Sequence, residues 1–103
     1  MRRAAKVDAN QAEIVAALRG VGCSVQPLHA VGGGVPDLLV GKGGVNLLVE
    51  VKDGSKRPSA RRLNAVQQEW HDAWRGNVAV VSSVAEALTL VGCGFRFGEQ
   101  FDD

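Results

Sequence analysis

Val35-Pro36-Asp37-Leu38-Leu39-Val40, then Gly41-Lys42-Gly43-Gly44, then Val45-Asn46-Leu47-Leu48-Val49-Glu50-Val51-Lys52: two apolar runs either side of a glycine-rich turn make the strongest hairpin signal in this chain. Both runs read as central strands. The second is almost continuously apolar, as expected of a strand covered on both faces, so Glu50 is an anomaly within it. With the turn at Gly43-Gly44, residues whose numbers sum to about 87 stand opposite each other, and Asp37 and Glu50 form such a pair. Lys52, two residues beyond Glu50, leaves the same strand face.

Outward from the hairpin, Asp8 and Gln11 have capping-box spacing, and Val7, Ile14 and Leu18 then share one side of a helix over about 9–19, closed by Gly20 and Gly22. Ser24-Val25-Gln26 before Pro27 predicts a short edge strand, and Gly32-Gly33-Gly34 a bend. Beyond the polar stretch 53–62, Asn64 and Gln67 form a second capping box. Val66, Trp70, Ala73 and Trp74 follow at helical spacing and read as a core-facing stripe of a helix ending near Gly76. Val78-Ala79-Val80-Val81 is a buried strand, and Ser83 with Glu86 opens a last helix that Gly92 stops. The order αβββαβα gives an α/β fold: a small mixed sheet flanked by helices.

The chain has 103 residues, 46% of them hydrophobic, which fits one domain with a core over about 9–92, a basic start and an acidic end. No apolar run reaches membrane-spanning length and the start does not resemble a signal peptide, so an intracellular, cytoplasmic protein is expected. Cys23 and Cys93 form no CxxC motif, and with His29 and His71 they have no zinc spacing. His29 and His71 read as a loop and a helix-surface residue. Net charge is only +1, but Lys56, Arg57, Arg61 and Arg62 crowd one segment beside Lys52, either as a solvated loop or as a surface for phosphates.

Two carboxylates facing each other in an apolar strand pair call for a compensating cation. Mg²⁺ suits them, being hard, oxygen-seeking and completed by water and phosphate. With Lys52 beside it, the set fits phosphodiester hydrolysis, in which the metal polarises the phosphate and lowers the pKa of a bound water. On these three residues alone a strand-end ion pair explains the pattern equally well. Gly41-Lys42-Gly43-Gly44 lacks the Ser/Thr and the following helix of a phosphate-binding loop.

Gly34-Val35-Pro36-Asp37-Leu38-Leu39-Val40 followed by Glu50-Val51-Lys52 closely resembles the PD-(D/E)XK nucleases. The opening Asn64-Ala65-Val66-Gln67-Gln68-Glu69-Trp70 and the strand 78–81 are similar to the virus-type replication-repair (VRR-NUC) branch, which includes single-domain phage and bacterial proteins. The likeness covers about residues 10–90. It implies a restriction-endonuclease-like fold and a Mg²⁺- or Mn²⁺-dependent endonuclease acting on branched or flapped DNA, with a non-cutting DNA-binding module as the alternative. It further implies that Asp37 and Glu50 bind metal, that the Val51 carbonyl adds a ligand, that Lys52 is the catalytic lysine, and that Gln67 joins the site. Glu13 resembles the extra acidic ligand of the first helix, although a solvent-facing role fits it too; Gln67 could serve the cap alone. Lys56, Arg57, Arg61 and Arg62 would hold the DNA backbone. A homodimer follows if two strands of a junction are cut. Asp53, next to Lys52, is expected to face the other way by alternation.

Overall fold

Residues 8–92 are described by the structure, a computed structural model. Val7, Cys93 and both charged tails lie outside them. The hairpin forms as the sequence predicts: β2 (Leu38–Lys42) and β3 (Val45–Val51) pair antiparallel, with Leu38 opposite Val49 and Lys42 opposite Val45. Gly43 and Gly44 have φ of 60° and 82°, the positive values that a two-residue turn of this hand requires. β2 begins at Leu38 rather than Val35, because Pro36 has no N–H to give the ladder. The first strand, β1 (Ser24–Pro27), pairs antiparallel with β2 at the edge. On the other side β4 (Val78–Val81) pairs parallel with β3, completing a mixed sheet of order β1-β2-β3-β4.

Period-two alternation gives this sheet two unlike faces. Leu38, Val40, Leu47, Val49, Val51 and Val81 point towards α1 (Gln11–Gly20) and α3 (Val84–Val91) and enclose Ile14, Leu18, Ala87 and Val91 in one core. Leu39, Leu48, Glu50 and Val80 occupy the opposite face, where Leu39 and Val80 are exposed.

Two helix readings need correction. Helix α1 starts later than predicted, with Asn10 at the N-cap, and the Asp8–Gln11 capping box does not form. Gln11 is instead buried at the first helical position. The stripe on α2 (Ala65–Ala73) does not face a core: the helix has no buried residue, and Val66 and Trp74 are 55% and 43% exposed. Its tryptophans stack on each other, Trp70 on Trp74 with ring centres 4.7 Å apart, so they satisfy much of their contact within the helix. The Asn64–Gln67 capping box is present in both directions, and Ser83 caps α3 by accepting from the Glu86 N–H. No helix among the described residues is long and apolar enough to cross a membrane.

Candidate active site

Asp37 stands one residue before β2, where the observed register puts it beside Glu50. Its Oδ2 accepts from the Val51 N–H at 2.7 Å, so the carboxylate continues the ladder where Pro36 and the glycine bend have ended it. Glu50 is 2% exposed. Burial first, and the Asp37 carboxylate second, push its pKa up from 4.5 to about 8. One of its oxygens, Oε1, is buried without a partner.

Lys52 follows on the same strand face and is tied less to Glu50 than to α2. Its Nζ lies 3.8 Å from Glu50 Oε2 but donates to Gln67 Oε1 at 2.8 Å. The same Gln67 oxygen accepts from the Asn64 N–H at 3.0 Å, while Gln67 Nε2 donates to Glu50 Oε2 at 3.1 Å. Only this orientation of the amide works, since the reverse would set an NH₂ against the ammonium. Gln67 therefore bonds both within the cap and to the Glu50 and Lys52 side chains. Asp53 accepts from the Ser55 N–H and hydroxyl, and those bonds lower its pKa. Its carboxylate is thereby engaged away from Lys52.

The end of helix α1 meets the site through residues the sequence reading missed. Asn10 Nδ2 donates to the carbonyls of Lys52 and Ser82, each at 3.0 Å, fixing the ends of β3 and β4 together. Asp8 adds its charge to the upward push on Glu50. Glu13, the predicted acidic ligand of this helix, is exposed. The helix turns its Gln11, Ile14 and Leu18 side inward, so Glu13 is not brought to the carboxylate pair. The acid from this end of the chain that acts on Glu50, Asp8, precedes the first turn instead of lying within it. Asp8 was read as a cap residue, and that local signal hid its longer-range role.

His71 is one helical turn after Gln67. It is only partly exposed, and its Nε2 is buried without a partner, so it is not the simple surface residue expected. Burial holds its pKa below the usual value, opposed by Asp72 and assisted by the Lys52 ammonium. Among the basic residues, Lys56, Arg57 and Arg62 are exposed on the connection from β3 to α2, which contains a 3-10 turn at Pro58–Arg61. Arg61 is half-buried.

An orphaned buried oxygen of Glu50 and a second carboxylate beside it form a donor set that fits a hard divalent cation, which would displace the proton that burial favours on Glu50. Among the described residues no third His, Cys, Asp or Glu joins the group. The remaining ligands would be backbone oxygen, water and substrate. This arrangement can therefore bind a phosphate through a cation and present Lys52 to it.

No family model matches the chain, and no curated protein does. A solved structure described as a VRR_NUC domain is similar to it, with 29% sequence identity and a TM-score of 0.60 over 82% of this chain and 96% of that one.

Proposed function

We propose, for a chain that belongs to the VRR-NUC branch of the PD-(D/E)XK nucleases, a metal-dependent endonuclease that hydrolyses phosphodiester bonds in DNA, with branched or flapped DNA as the favoured substrate. The observation that carries this reading is the bridge Glu50–Gln67–Lys52 beside Asp37. It holds an ammonium and two carboxylates together where a strand-end ion pair would need neither Gln67 nor a second acid.

Asp37 and Glu50, with the Val51 carbonyl, would hold Mg²⁺ or Mn²⁺, which supplies charge neutralisation and a nucleophilic water at neutral pH. Lys52, fixed by Gln67, orients the attacking water and stabilises charge growing on the phosphate. Because the amide holds the ammonium in advance, little reorganisation is needed at the moment of reaction. Lys56, Arg57, Arg61 and Arg62 hold the DNA backbone through sequence-independent contacts. Asp8, which precedes α1, is the acid from this end of the chain whose charge acts on Glu50. Cutting both strands of a junction needs two such sites, so a homodimer is part of the proposal.

The test incubates the protein with labelled linear, flapped and four-way DNA and Mg²⁺ or Mn²⁺, alongside Lys52→Ala and Glu50→Ala. Cleavage by the parent and a loss of about 100-fold or more in each variant is expected. DNA binding without cleavage by the parent selects the non-cutting module instead. Light scattering that shows a monomer at micromolar concentration removes the homodimer.

A further inference from the structure

Beyond Asp37, away from Lys52, the site opens into a cavity of about 190 Å³ lined by His29, Gly32–Val35, Asn64, Val66 and Gln67. At about 30 Å³ per water it holds roughly six waters, room for one planar heterocycle but not for a base pair. Its walls are the glycine bend on one side and the first turn of α2 on the other. Gly34 locks the two together: its φ is +86°, and a Cβ there would come 2.6 Å from the Val66 carbonyl oxygen.

Several hydrogen-bonding groups on this wall are unused. His29 Nδ1 is buried without a partner. The N–H groups of Gly32, Gly33 and Gly34 donate to no backbone acceptor among the described residues. Asn64 Oδ1 is occupied by the cap, which leaves its NH₂ for a ligand. Val35 and Val66 supply apolar surface. No Lys or Arg lines the cavity and Asp37 does, so a phosphate is disfavoured there and an uncharged polar ring is favoured.

We propose that this cavity receives the base of an unpaired nucleotide next to the phosphate being cut, read by its edge against His29, Asn64 and the glycine N–H groups. The proposal rests on the nuclease reading and gives it a physical source of substrate choice. A base stacked in a duplex must be unpaired to enter, at a cost that a flap or branch has already met. Single-stranded bases are also those whose edges are free to be hydrogen-bonded.

The test uses Lys52→Ala, which is expected to hold DNA uncut, and flapped DNA carrying 2-aminopurine at each position beside the branch in turn. Binding is followed by anisotropy and base unstacking by 2-aminopurine fluorescence. A several-fold rise in fluorescence is expected at one position, and an abasic site there should weaken binding about tenfold. Val66→Trp, a change at an exposed position that fills the cavity, and His29→Ala should both remove the rise and make intact and abasic DNA bind alike. DNA that binds with no rise at any position, or a rise that persists in both variants, overturns the proposal. Failure of the nuclease reading itself is seen separately, as absence of cleavage by the parent.

Discussion

The sheet face beneath α1 and α3 and the face carrying Asp37, Glu50 and Lys52 belong to the same strands, one residue out of phase, yet they are finished differently. The first is closed by Ile14, Leu18, Ala87 and Val91, all 5% exposed or less. Among the described residues the second has α2 beside it, a helix with no buried residue, held to the site by Gln67 and approached by the glycine bend at Gly34. The core is concentrated on one face and the candidate site on the other, as expected where a ligand must reach groups that a tight core would seal off.

The largest effect that would break this contrast comes from the closed face. Ile14→Ala should cost about 2–5 kcal/mol, lowering the Tm by more than about 10 °C in a domain of this size. Val80→Ala, on the open face, should stay within about 1 kcal/mol. Equal losses in denaturant titrations of the two variants would show that the open face is packed in solution.

A second prediction concerns charge on the open face. Below about pH 4.5 the Glu50 carboxyl is protonated in folded and unfolded chains alike. Between there and about 8 the folded protein keeps a proton that the unfolded chain has released, so stability falls as pH rises and levels off above that range. The Tm of the metal-free protein should drop by about 5 °C or more between pH 5 and 8. Glu50→Gln should flatten this dependence, and an unchanged slope would show that Glu50 is not the group responsible.

The smallest effect separates the two duties of Gln67. Asn64→Ala should cost about 1 kcal/mol as a lost cap. Combined with Gln67→Ala, the total loss should be less than the sum, since each change removes the same reciprocal pair. Full additivity in thermal melts would mean that Gln67 acts in the site alone.

The hairpin register was legible because a two-residue glycine turn leaves one pairing that buries the apolar sets, and Asp37 opposite Glu50 followed from it. The capping box at Asn64 and the Ser83 cap were legible for a similar reason, being local. The exposure of α2 was not, because a stripe such as Val66-Trp70-Trp74 states which side of a helix is apolar and not whether anything covers it. Asn10 was also out of reach: its partners are 42 and 72 residues away, a separation at which no local spacing rule operates. Glu13 was expected from the resemblance alone, and its exposure fits the solvent-facing alternative.

The contact between Gly34 and Val66 sets what substitution will tolerate along the glycine bend. Saturation of position 34 should return glycine alone, since any other residue meets both a left-handed backbone and a carbonyl at 2.6 Å. At Gly33, where nothing lies within 4 Å of a Cβ and φ is +68°, asparagine and aspartate should survive, being the residues that best accept that conformation. Of three identical neighbours in the sequence, Gly34 would thus have a mutational profile unlike that of Gly32 and Gly33, set by one oxygen atom on another element.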